Sequence, residues 1–108
     1  IGQDAHACGG PVVAKLLGDA DHVDADRLKA ASPAAWLPLG VPQRLIVGHY
    51  DFVMTPELSS AYMAQARAAG DDAQYIPIPD VGHFELIAPD SPAGATVLGT
   101  ARELLHLP

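Results

Sequence analysis

The chain has one cysteine, Cys8, so it can form no internal disulfide, and it has no Cys-x-x-Cys or Cys/His cluster to hold a structural zinc. Neither covalent nor metal staple is open to a fold of this size. Basic residues are also scarce: six Lys and Arg against thirteen Asp and Glu leave a net charge of −7. That balance argues against a phosphate backbone or an anionic membrane surface as partner. No apolar run approaches the roughly 18 residues a membrane span requires, and no basic stretch leads an apolar one. The expectation is a soluble chain with no nucleic-acid and no membrane partner. What remains is 108 residues, 49% apolar and only 6% aromatic, with ten glycines and ten prolines, which bounds the chain at one domain.

Proline and glycine punctuate the elements. Val12, Val13, Leu16 and Leu17 recur at helical spacing between Pro11 and Gly18, and Asp24 to Ala31 suits a second short helix with Leu28 inward. Ser32-Pro33 reads as an N-cap with proline in the first turn, so Ala34 to Leu37 is expected to be a short helix ended by Pro38, with Trp36 anchoring it to a core. Leu45-Ile46-Val47 is an unbroken apolar run between Pro42 and Gly48, the pattern of a parallel strand buried on both faces. Thr55-Pro56 repeats the cap signal, and Leu58, Ala61, Tyr62, Gln65 and Ala69 form the expected inner stripe of a helix closed by Gly70. Gln74 to Ile78 alternates, and Pro77 within it marks an edge strand. Ser91-Pro92 opens a last helix with the stripe Val97, Leu98, Ala101, Leu104 and Leu105.

The fold class predicted is α/β, with two parallel strands, flanking helices and a crossover between them. Residues 1–42 form a helical segment and 43–108 a strand-helix-strand-helix unit. Two parallel strands are an incomplete sheet, and a strand as apolar as Leu45–Val47 asks for a neighbour on its other side that no upstream residue supplies convincingly. Together with a start at Ile1 and no clear element in the first ten residues, this gives the expectation that further sequence lies upstream.

Chemistry in an open parallel sheet gathers in loops past the carboxyl ends of the strands. Here those loops are Gly48-His49-Tyr50-Asp51-Phe52 and Pro79-Asp80-Val81-Gly82-His83-Phe84-Glu85. Adjacent strands lie about 4.8 Å apart, so a carboxylate in one loop reaches an imidazole in the other. Asp51 and His83 are thus the candidate acid and base of a nucleophilic triad.

Gly48-His49-Tyr50-Asp51-Phe52, then a helix, an edge strand and Gly82-His83-Phe84-Glu85, resembles the C-terminal part of an α/β-hydrolase. Within that superfamily it is most similar to carboxylesterases and to relatives of arylformamidases and prolyl-oligopeptidase-like peptidases. The resemblance covers residues 10–108 and rests on a Gly-x-x-Asp and a Gly-His separated by 32 residues between Asp and His. It implies a partial α/β-hydrolase fold holding the last two parallel strands, with Asp51 as triad acid and His83 as general base. It also implies a small-molecule ester or amide substrate and no cofactor or metal.

The nucleophile departs from that pattern. The superfamily carries its serine in Gly-x-Ser-x-Gly, which does not occur in this chain. Ala5-His6-Ala7-Cys8-Gly9-Gly10 looks superficially like an elbow, but too few residues separate position 7 from Asp51 for the intervening helix and strand, and no apolar strand precedes it. The elbow and the oxyanion donors are expected upstream of Ile1, so this polypeptide alone is expected to be inactive.

Blander readings stand beside these. Asp51 can serve only to stabilise a turn and His83 only to face solvent. Asp80 or Glu85 can replace Asp51 as the partner of His83, although Glu85 suits the start of the next helix better. His49, Asp51 and His83 are the alternative metal set, Cys8 and Ser59 the alternative nucleophiles, and His6, His22 and His106 scattered surface residues. The competing function is a non-catalytic interaction module. In both readings the chain is expected to self-associate or to pair with the missing N-terminal part. The compartment is left open, with the cytoplasm favoured.

Overall fold

The structure, a computed structural model, describes residues 12–18 and 24–108; the Ala5–Gly10 look-alike and Cys8 lie outside them. Among the described residues, four helices and two strands follow in the order α1 (Val12–Leu17), α2 (Ala25–Ala31), β1 (Gln43–Gly48), α3 (Pro56–Ala68), β2 (Ala73–Ile78) and α4 (Pro92–Leu104). Short 3₁₀ turns at Pro33–Trp36 and Phe84–Ile87 precede β1 and α4. No described helix is long and apolar enough to cross a membrane.

β1 and β2 pair in parallel from Gln43 opposite Ala73 to Gly48 opposite Ile78, and no third strand joins them among the described residues. Pro77 lies opposite Val47, exposed, at the edge that its missing N–H suits. One sheet face carries Leu45, Ala73 and Tyr75 against Met63 and Ala66 of α3. The other carries Ile46 and Ile78 against Val81, Leu86 and Ala93 at the start of α4. The core is therefore two small clusters on opposite faces of a two-stranded ribbon.

Local chemistry explains the element starts. Thr55 and Ser91 cap α3 and α4, accepting from the N–H groups of Leu58 (3.4 Å) and Gly94 (2.9 Å), each with proline in the first turn. Asp24 caps α2 through Asp26 N–H at 2.8 Å, and Leu28 is half-buried as expected. Asp71, buried at the α3–β2 turn, fastens the segment before β1: its carboxylate accepts from Leu39 and Gly40 N–H and from Gln43 Nε2. Gln43 Oε1 in turn accepts from the Tyr62 hydroxyl at 2.7 Å. Burial, with the Asp71 charge added, holds the Tyr62 hydroxyl above its ordinary pKa.

Several expectations are corrected. The buried face of α3 is Ser59, Met63 and Ala66, whereas Ala61, Gln65 and Ala69 of the expected stripe are exposed. Small side chains and a flexible thioether let the helix sit close on the sheet, and Leu58 and Tyr62 turn half-buried toward its flank. On α4 only the first turn, Ala93 and Gly94, is buried; Leu98 and Leu105 stay exposed because no described element lies against them. Trp36 is 61% exposed, its Nε1–H donating to the Ala30 carbonyl, and it does not anchor the core. β1 is not buried on both faces along its length: Val47 is buried, but Leu45 and Ile46 are only half-buried.

Candidate functional site

The β1–β2 ladder continues past both strands into the loops that follow them. His49 N–H donates to Ile78 O, Tyr50 N–H to Val81 O and Asp51 N–H back to Gly48 O, all between 2.9 and 3.1 Å. Asp80 adopts a left-handed conformation (φ 57°) that turns the second loop back over β1. Gly48 lets it approach: a Cβ there would collide with the carbonyl oxygens of Val81 and Gly82. Sequence reasoning missed this use of Gly48, whose only visible signal is a glycine at the end of an apolar strand.

The two loops bring Asp51 and His83 together, with Nδ1 of His83 2.9 Å from Oδ2 of Asp51. Asp51 is 3% exposed, and its other oxygen accepts from Val53 N–H at 2.9 Å and Met54 N–H at 2.8 Å. Burial pushes the Asp51 carboxyl up, but the His83 bond, the two backbone amides and the nearby imidazole outweigh it, leaving it below its ordinary 3.8. An ionised carboxylate only accepts, so Nδ1 carries a proton and donates to Asp51, and in the neutral ring Nε2 is the acceptor. His83 is about one-third exposed at its side chain, so this base is accessible.

The alternative partners are otherwise engaged. Glu85 sits in the first turn of the Phe84–Ile87 3₁₀ helix, the next helical element, and its Oε2 accepts from Gly82 N–H at 3.2 Å. Asp80 is exposed and shapes the turn. His49 is exposed and packs edge-on against Tyr50, with ring centres 5.0 Å apart. Among the described residues no three of His, Cys, Asp and Glu gather to hold a metal ion, so His49, Asp51 and His83 form no such set.

A cleft of about 530 Å³ opens beside the pair. Asp51 and His83 line one part of it, and its walls are chiefly apolar, among them Ile46, Val47, Met54, Leu58 and Leu86. Ser59, buried on α3, also lines it. Tyr50, Phe52, Phe84 and Ile87 on the two loops and the turn after them are exposed, and the Phe84 ring packs edge-on against His83 with centres 5.3 Å apart. The arrangement can take a proton from a hydroxyl at His83 Nε2 and stabilise the resulting imidazolium with a buried carboxylate, next to space for an apolar group.

No protein-family profile, curated protein or solved structure matches the chain.

Proposed function

We propose that the chain is the acid-and-base portion of a serine hydrolase of α/β-hydrolase type, acting on carboxylic esters or amides. The observation that carries this reading is the 2.9 Å contact between His83 Nδ1 and a buried, ionised Asp51 at the carboxyl ends of two adjacent parallel strands. Asp51 fixes the tautomer and His83 is the general base that later protonates the leaving group. The nucleophilic serine and the oxyanion donors come from polypeptide outside these residues, and the apolar cleft receives part of the substrate. The reading also rests on the motif resemblance.

A second reading, a non-catalytic interaction module, is favoured by the exposed apolar side chains of Leu16, Val41, Phe52, Leu98 and Leu105. Intact-mass and peptide sequencing of the protein purified from its source separates the two. A Gly-x-Ser-x-Gly segment before Ile1 whose serine takes a fluorophosphonate label supports the hydrolase. An unlabelled protein without that segment overturns it in favour of the module.

A further inference from the structure

His83 stands on a short arch of main chain that one residue, Glu85, closes at both ends. Upstream, Val81 is buried in the cluster with Ile78 and Ala93, and its carbonyl accepts from Tyr50 N–H. The next N–H, that of Gly82, donates to Oε2 of Glu85 at 3.2 Å. Downstream, the Glu85 carbonyl accepts from Ala88 N–H at 3.2 Å and from the Ser91 hydroxyl at 2.6 Å, and Leu86 packs against the same cluster. The carboxylate thus reaches back three residues to a backbone donor, the spacing by which a capping box closes a helix start. Gly82 is suited to this contact. Its backbone is not left-handed, so the turn does not demand glycine, but a Cβ there would lie 3.2 Å from Glu85 Oε2. The missing side chain leaves the carboxylate room to reach the N–H.

The imidazole has little else to hold it. Asp51 is fixed by burial and by the N–H groups of Val53 and Met54. Among the described residues the His83 ring makes one hydrogen bond, to Asp51, and the Phe84 ring that packs against it is itself 70% exposed. His83 precedes the Phe84–Ile87 turn without capping it through its side chain, so the ring is not tied to its own turn. A bond between a fixed carboxylate and a loosely packed ring keeps its geometry only as far as the main chain under the ring is fixed.

We propose that Glu85 is a positioning residue for the His83 imidazole: by accepting from Gly82 N–H its carboxylate fixes the arch, and so keeps Nδ1 on Asp51 and leaves Nε2 as the acceptor of the neutral ring. Glu85 acts here as a hydrogen-bond acceptor and not as a charge facing the ring. The inference rests on the hydrolase reading only for what Nε2 then does.

The ¹⁵N shifts of the His83 ring, read at a pH where it is neutral, and exchange of the Gly82 amide test this without any assay of turnover. Glu85→Ala is expected to move the ring from the Nδ1–H form toward a mixture of tautomers and to speed Gly82 exchange about tenfold, as loss of one charge-assisted hydrogen bond does. The melting temperature is expected to change little, because Glu85 is exposed. Glu85→Gln keeps an oxygen that accepts from Gly82 N–H and is expected to retain native values of both. Gly82→Ala crowds the carboxylate and is expected to shift the ring in the same direction, with little further change when Glu85→Ala is added to it. Thr55→Ala, which weakens the α3 cap outside the arch, leaves the ring shifts native. Native ring shifts in Glu85→Ala overturn the proposal. So does a Glu85→Gln variant that behaves like Glu85→Ala, since a charge would then be acting, and so do Thr55→Ala shifts that match it, since general loosening would then be the cause. These outcomes leave the hydrolase reading standing, whereas a native chain whose His83 carries no Nδ1 proton overturns the Asp51–His83 pair, the role of Glu85 and that reading together.

Discussion

Asp51 accepts three hydrogen bonds in the folded chain, from His83, Val53 and Met54, and these vanish on unfolding. Its carboxyl is thereby held below 3.8, so the fold gains stability from it above that pH and loses it as pH falls through the lower folded value. Urea midpoints measured on acidification are expected to drop in this range for the native chain and to change less for Asp51→Asn; equal slopes would mean that Asp51 is not the linked group. The same substitution tests the tautomer without any assay of turnover. With Asn offering an N–H toward the ring, Nδ1 becomes the acceptor and the proton moves to Nε2, which ¹⁵N shifts of His83 report directly. Unchanged ring shifts would sink the assignment. Gly48 acts on the pair from a distance. Gly48→Ala drives a methyl group into the carbonyls of Val81 and Gly82, costing about 1–3 kcal/mol as overpacking does, and the displaced loop lengthens the Asp51–His83 contact. The expected readout is a lower melting temperature together with loss of the Nδ1–H signal. A lower melting temperature with that signal intact would show that Gly48 serves only stability.

At the scale of elements, the two serine-or-threonine caps are not equivalent. Ser91 Oγ accepts from Gly94 N–H at 2.9 Å and donates to Glu85 O at 2.6 Å, tying α4 to the turn that carries His83. Thr55 Oγ1 accepts from Leu58 N–H only at 3.4 Å. Ser91→Ala is therefore expected to cost about 1 kcal/mol or more and Thr55→Ala a fraction of that; the reverse order in chemical denaturation would refute the ranking. These caps were legible because Ser-Pro and Thr-Pro state their mechanism locally. So were β1, β2 and the meeting of Asp51 with His83, since a parallel pair fixes where the loops emerge. The buried faces were not. Periodicity named Ala61 and Gln65 on α3, but Ser59, Met63 and Ala66 face the sheet, because what a small helix buries is set by how closely it can approach. The stripe of α4 held only in part: Val97 and Leu104 are half-buried, while Leu98 and Leu105 need a neighbour that the described residues do not contain. Trp36 misled for a related reason, since a large side chain anchors only where a core exists to receive it.

For the whole molecule, the governing fact is how little core the described residues assemble. Its radius of gyration is 15.1 Å, where a compact domain of this length has about 13 Å. Two small clusters on opposite faces of a two-stranded ribbon hold it together, while large apolar side chains from Leu16 to Leu107 stay exposed. Exposed apolar surface favours association, and the net charge of −7 opposes it. The two terms respond differently to conditions. Added salt screens the repulsion, shrinking the Debye length from about 30 Å at 0.01 M to about 8 Å at 0.15 M, and leaves apolar attraction in place. Lowering the pH toward the isoelectric point near 4.8 removes the charge itself. Light scattering is therefore expected to show apparent mass rising with salt at neutral pH and rising further as pH approaches 4.8. Mass that falls with added salt would show that charge pairs, not apolar faces, hold the copies together.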